Sequence, residues 1–154
     1  MPSPAPSSAA PHLHLALQRG RGVAALPLGR SRLRRLVLAA LEADAELTLR
    51  FVAMAEGRSL NAAYRGRDDA TNVLTFAYAD GAADIVLCVP VIRREAREQK
   101  KVFEHHLAHL VIHGVLHAQG YDHDVPEAAH RMEAREISLL RRFRVADPYR
   151  ARSD

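Results

Sequence analysis

Residues Phe103 to His123 read FEHHLAHLVIHGVLHAQGYDH, and this stretch decides the fold. Leu107, Leu110, Val111, Ile112, Val115 and Leu116 surround most of a helix running from Phe103 to about Gln119. A helix that is apolar nearly all round is buried at the centre of its domain. Histidines on such a helix are costly to bury unless they are paired or ligate a metal. His113 and His117 stand four apart, one turn apart on the same face, so both imidazoles can reach one ion. Gly120 can adopt a left-handed backbone and end the helix. The chain then turns back, and His123 can arrive as a third ligand. Three protein ligands leave one position open on a tetrahedral zinc, as in catalytic rather than structural sites. Water held there has its pKa lowered to about 7, which points to hydrolysis. Three imidazoles also suit nickel, copper or iron.

The flanking sequence supplies what such a helix needs to pack against. Downstream, Pro126 opens a helix to about Phe143, with Ala129, Met132, Ile137, Leu140 and Phe143 as its apolar stripe. Upstream, Val91 to Lys101 reads as an amphipathic helix. Three strands are expected at Glu46–Ala53, Asn72–Tyr78 and Asp84–Val89, and a first one at His12–Gln18. Asp80 and Gly81 between the second and third of these mark a hairpin. Ser31 is expected to cap a helix to about Ala43, and Ser59 a short helix through Tyr64 that Gly66 stops. The pattern implies an α+β fold: a small mixed β-sheet packed with helices around a central buried metal-binding helix.

A chain of 154 residues is sized for one domain. Residues 1–11, rich in Pro, Ser and Ala, read as a disordered lead-in, 12–147 as a single metallohydrolase domain, and 148–154 as a flexible tail. No apolar run reaches the ~20 residues that span a membrane, and the N-terminus lacks a secretory pattern. The lone cysteine, Cys88, lies in an apolar run and reads as a buried, inert thiol in a reducing cytoplasm. The net charge is +4, and the only lysines are Lys100 and Lys101. Two arginine clusters, Arg30 to Arg35 and Arg141 to Arg152, suit either phosphate backbones or solvated helix faces.

The histidine positions resemble the metzincin protease pattern His-Glu-x-x-His-x-x-Gly-x-x-His. Gly114, however, stands where that pattern places its glutamate general base, which argues against a peptidase. The match becomes specific elsewhere. His113-Gly114-Val115-Leu116-His117 followed by Gly120-Tyr121-Asp122-His123 resembles the signature of the YbeY family of bacterial endoribonucleases. A second block, Leu60-Asn61 and Tyr64-Arg65-Gly66 followed by Thr71-Asn72-Val73-Leu74-Thr75-Phe76, resembles the same family, as does Asp84-Ile85. Ala83 and Ala118 depart from its usual glycine and leucine. The resemblance covers roughly residues 46 to 143. It implies a zinc-dependent, single-strand-specific endoribonuclease. Its role would be ribosomal RNA processing, notably at the small-subunit 3′ end, and ribosome quality control. RNA and the ribosome or its proteins would be the partners. By motif match, His113, His117 and His123 are the metal ligands and Arg65 the functional arginine, clamping the scissile phosphate. The general base is unassigned: a zinc-bound hydroxide needs none, or a 2′-hydroxyl attacks instead.

Other residues are weighed on chemistry. His109, and His105 before it, lie on the face of His113; His109 is either a group supporting the ligands or a satisfied core histidine. Asp122 either orients a ligand imidazole or caps the turn. His106 points elsewhere and reads as exposed. Tyr121 reads as packing, His12, His14 and His130 as surface residues, and Asn72 as a residue fixing the strand entry beside Arg65. Two other functions compete: a metallohydrolase for peptide or ester bonds, and a metal-stabilised ribosome-binding module with weak or no hydrolysis.

Overall fold

The computed structural model describes residues 10–67 and 69–150; the remainder of the expected lead-in and tail lies outside the described residues. The elements run β1 (Leu13–Arg19), α1 (Arg30–Ala40), β2 (Ala45–Val52), α2 (Met54–Arg65), β3 (Val73–Ala77), β4 (Ala82–Cys88), α3 (Val89–Glu98), α4 (Phe103–Ala118) and α5 (Pro126–Arg142). The strands form one mixed sheet in the order β1-β2-β4-β3. β1, β2 and β4 are parallel, and β3 is an antiparallel edge strand. The expected hairpin is therefore β3–β4. Asp80 and Gly81 both have positive φ (63° and 76°) in its turn, which the Tyr78 N–H closes on the Ala82 carbonyl at 2.8 Å.

Strand alternation sorts the two faces of the sheet. Ala83, Ile85 and Leu87 of β4 join the main core with α1, α4 and α5. Val86 and Cys88 turn to the other side, where Leu60 of α2 packs beside Leu74 and Val91. The expected central helix is α4, which touches α1, α3, α5, β3 and β4. Leu107, Val111, Ile112, Val115 and Leu116 are fully buried on it, each contributing about 1.5–3 kcal/mol of hydrophobic stabilisation.

Local starts differ from the sequence reading. α1 begins at Arg30 with Gly29 as its N-cap, and no side chain, Ser31 included, caps it. α2 begins at Met54, five residues before Ser59, directly from the end of β2. The β2–α2 junction has only Ala53 between the elements, so chain connectivity overrides the weak capping signal. Gly66 ends α2 as expected, in a left-handed conformation with its N–H on the Ala62 carbonyl. On α5 the buried residues are Met132, Glu136, Leu139 and Leu140, a stripe rotated slightly from the expected one. Cys88 is buried, its Sγ 3.9 Å from the Ala53 carbonyl, and burial pushes its thiol pKa up. Among the described residues, no helix is long and apolar enough to cross a membrane.

Candidate metal centre

The centre is built at the C-terminal end of α4, and that end is fixed by backbone chemistry. Gly120 has φ 98°. Its N–H meets the His117 carbonyl at 3.1 Å, and the Tyr121 N–H meets the Leu116 carbonyl at 3.1 Å. This pair of bonds is a Schellman motif, and a glycine at the left-handed position satisfies it without Cβ strain. Tyr121 packs against the core and its hydroxyl donates to Glu42 at 2.6 Å, the structural role expected of it. Gln119 completes the anchor by donating to the Ala40 carbonyl at 2.8 Å.

Gly114 sets how close α4 lies to the sheet. A Cβ at this position would sit 2.6 Å from Ile85 Cγ2 and 3.4 Å from Val73 Cγ2. The glutamate of the protease pattern has no room here; residue 114 faces the sheet, away from the solvent side where a base would be needed.

The turn brings the three expected histidines together. Ring centroids are 6.4 Å apart for His113–His117, 5.7 Å for His113–His123 and 6.2 Å for His117–His123. Zn–N bonds of about 2.0–2.1 Å put ring centroids roughly 5 Å apart around a tetrahedral ion, so the triangle is only slightly wide. His113 Nδ1 faces Glu136 Oε1 at 3.3 Å, and His117 Nδ1 donates to the Tyr121 carbonyl at 2.9 Å. With Nδ1 engaged on both rings, Nε2 is the nitrogen left for a metal, and the tautomer is set by the support. His123 and His117 are exposed and His113 is half-buried, which leaves the cluster open to a substrate.

Glu136 was not singled out in the sequence. It is fully buried and accepts from His109 Nε2 at 2.6 Å, from His113 Nδ1, and from the Tyr149 hydroxyl at 2.9 Å. Burial pushes its carboxyl pKa up, but hydrogen bonds from His109 and His113 outweigh this and bring it down to about 2. Burial and the Glu136 charge push the Tyr149 phenol up, so it stays a donor. The sequence signal was there: a carboxylate on the apolar stripe between Met132 and Leu140 needs partners in the core. His109 is thus a buried histidine that shares its carboxylate with a candidate ligand.

His109, His113 and Glu136 also form a group that could hold a metal ion, with one ligand atom each within 4.8 Å of one another. His113 is common to both groups. In the second, Glu136 already accepts three hydrogen bonds inside a closed core. A cation there would displace the protons that His109, His113 and Tyr149 share with Glu136. The three-imidazole set offers neutral donors and an open face, with ring centroids 5.7–6.4 Å apart, and the rings of His113 and His117 are anchored through Nδ1.

Two expectations about neighbours resolve clearly. Asp122 Oδ1 accepts its neighbour's backbone N–H, that of His123, at 2.7 Å. It caps the turn, and this bond, first among several, holds its carboxyl below the usual range. His106 is corrected: it is buried, 5% exposed, with Nε2 3.0 Å from Glu95 Oε1. The turn angle that carries it off the His109 face carries it towards α3 rather than solvent.

Arg65 stands exposed in the last turn of α2. The chain following it is tightly held. Asn61, buried, donates to the Asp69 carbonyl at 2.7 Å. Asn72 accepts the Val73 N–H at 2.6 Å and donates to Glu95 at 3.1 Å, the same carboxylate that meets His106. Asn72 therefore fixes the entry to β3, as expected. The arginine clusters divide: Arg30 and Arg34 donate to the Leu15 and Leu13 carbonyls of β1, a structural use, while Arg141, Arg142 and Arg144 are exposed. Arg152 lies outside the described residues. His12, His14 and His130 are exposed.

Comparison with known proteins concerns the chain as a whole. The profile of the family described as "Endoribonuclease YbeY" matches residues 31–144. The chain is 54% identical over 147 residues to "Endoribonuclease YbeY" of Cupriavidus necator, covering 90% of this chain and 74% of that protein. It is 51% identical to the Thiobacillus denitrificans protein of the same name, covering 91% and 98%, and 54% identical to that of Bordetella pertussis, covering 92% and 99%. The solution structure of TM1509 from Thermotoga maritima superposes with a TM-score of 0.56 at 26% identity, covering 90% of this chain and 99% of that one.

Proposed function

This chain belongs to the YbeY endoribonuclease family, and from that premise we propose that it is a zinc-dependent, single-strand-specific endoribonuclease of ribosomal RNA. Maturation of the small-subunit 3′ end and ribosome quality control are the proposed roles, in the cytoplasm, with the ribosome or its proteins as partners. The observation that carries the reading is the imidazole triangle of His113, His117 and His123, open on one side and anchored behind through Glu136 and the Tyr121 carbonyl.

When bound to these three imidazoles, zinc supplies a Lewis acid for a phosphoryl oxygen and lowers the pKa of water. The chain's own residues do the rest. Glu136 fixes the His113 ring and keeps its Nδ1 protonated, so Nε2 is the free electron pair. His109 and Tyr149 hold Glu136 in place and offset the cost of burying its charge. Arg65, cationic and exposed, is proposed to donate to the scissile phosphate and stabilise the charge that grows in the transition state. Gly114 delivers no general base; the nucleophile is either water or the substrate's own 2′-hydroxyl, and in both cases its proton passes to solvent.

The test combines metal analysis with cleavage. Purified, nuclease-free protein is expected to contain about one zinc and to cut single-stranded ribosomal precursor RNA. Arg65→Ala is expected to keep the zinc and the fold and lose cleavage. Absence of cleavage by the zinc-loaded wild type overturns the enzyme reading; normal cleavage by Arg65→Ala overturns the role of Arg65.

A further inference from the structure

A second concavity lies one helical turn from the metal centre. It has a volume of about 570 Å³ and runs between the first half of α4 and residues 145–150, a size within the range of small-molecule sites. One wall is apolar: Val102, 54% exposed, Pro148, and the ring of Tyr149, 44% exposed. The rim is cationic or hydrogen-bonding: Lys101, His105 and Arg150. Lys101 Nζ donates to the Pro148 carbonyl at 2.8 Å, which holds its charge at the edge of the cavity. The single carboxylate in the lining, Asp147, is already engaged by the Tyr149 N–H at 2.8 Å. Two buried imidazoles, His106 and His109, also line it, and each has an Nδ1 with no partner.

The cavity is also physically joined to the metal centre. Tyr149 forms its wall and donates to Glu136, and Glu136 holds His113. The rings of His109 and His113 are 6.2 Å apart.

We propose that this cavity is a nucleotide subsite, which takes one nucleotide of the single-stranded RNA beside the bond that is cut, its base against Val102, Pro148 and Tyr149 and its phosphate at Lys101, His105 and Arg150. The charge favours an anion, and the apolar wall beside it matches a flat base joined to a phosphate. Bases without a fixed sequence bind in this way, by stacking on side chains beside a cationic track. The proposal rests on the endoribonuclease reading for the identity of the strand.

Val102→Glu places a carboxylate on the lip at the N-cap of α4, where a helix tolerates negative charge. With the zinc-loaded enzyme and an RNA oligonucleotide, KM is expected to rise about tenfold with kcat and zinc content unchanged, within the range that losing one stacked base gives. Arg150→Ala is expected to reduce the slope of log Kd against log salt by about 0.7, the loss of one phosphate contact on a single strand. Binding is read by fluorescence anisotropy on a single-stranded DNA of the same sequence, so it does not depend on cleavage. Wild-type KM and Kd in both variants overturn the subsite even if RNA is cut. Weakened binding by both variants without any cleavage by the wild type upholds the subsite and overturns the enzyme reading instead. A free nucleoside monophosphate that fills the cavity, blocked by Val102→Glu, while oligonucleotide binding is unchanged, assigns the site to a small ligand and overturns the strand proposal.

Discussion

Gly114→Ala tests the packing that places the histidines. Added at this position, a Cβ would lie 2.6 Å from Ile85 Cγ2, against an ordinary carbon–carbon contact of about 3.5–4.0 Å. About 1 Å must be found, and Ile85 is fully buried in the central strand β4, so it has little freedom to give it. Overpacking of this kind costs about 1–3 kcal/mol. Against it stands the helix preference for alanine over glycine, about 0.8–1.0 kcal/mol. The net expectation in the wild type is a loss of about 1 kcal/mol. In an Ile85→Ala background the obstructing methyl is gone, and the next neighbours, Val73 Cγ2 at 3.4 Å and Thr75 Oγ1 at 3.5 Å, are tolerable contacts. There Gly114→Ala is expected to stabilise by about 1 kcal/mol, although Ile85→Ala alone costs about 2–5 kcal/mol. The sign of the same substitution thus reverses between backgrounds. Urea unfolding at fixed free zinc measures all four corners of the cycle. Stabilisation by Gly114→Ala in the wild type, or additivity of the two changes within about 0.5 kcal/mol, would refute the argument that a side chain at 114 collides with the sheet.

Other outcomes can be checked on the same protein. Glu136→Gln keeps the shape but loses the charge, and is expected to weaken zinc binding about 10–100-fold in competition with a chelator; unchanged affinity would remove Glu136 from the support of His113. Gly120→Ala forces a φ of 98° on a residue with a Cβ, costing roughly 1–2 kcal/mol, and is expected to lower zinc retention by displacing His123. Burial lowers the His106 pKa, against the opposing pull of Glu95. Below its ordinary value near 6.5 the unfolded chain therefore binds a proton that the folded chain refuses. His106 thus contributes stability above that pH that is lost as pH falls, and His106→Gln is expected to flatten the acid limb of the stability curve. A steeper limb in the variant would reverse the sign. Cys88 is expected to react with thiol reagents only on unfolding, since it is buried and its pKa is raised.

Much of the fold was legible because its signals are local. The all-round apolar helix, the Asp80-Gly81 turn and the alternation in β2 each depend on a few neighbouring residues. The starts of α1 and α2 were not, since Ser31 and Ser59 carry capping chemistry that the chain does not use. Gly29 caps α1 without a side chain, and α2 follows β2 after a single residue. Strand order was also beyond local reading. β3 and β4 are neighbours through a hairpin, but the placement of β4 beside β2 depends on parallel pairing across distant segments.

The candidate site divides the same way. The imidazoles that converge are all within eleven residues, so their spacing on α4 and the glycine turn announced them. What holds them is remote: Glu136 is 23 residues from His113 and Tyr149 is 13 further. A carboxylate within a helical stripe looks like an interruption of amphipathicity until its partners are known. His106 was misread for the same reason, because Glu95 lies on another helix. The physical consequence is that the two layers answer differently to substitution. Loss of a ligand removes a donor nitrogen and leaves the core intact. Loss of Glu136 removes no ligand nitrogen, but it leaves His113 without its support and buried His109 without its acceptor, and an unpaired buried polar group costs about 1–3 kcal/mol. Metal affinity and fold stability should therefore fall together in Glu136 variants and separately in His117 and His123 variants, since those two rings are exposed and carry no buried partner.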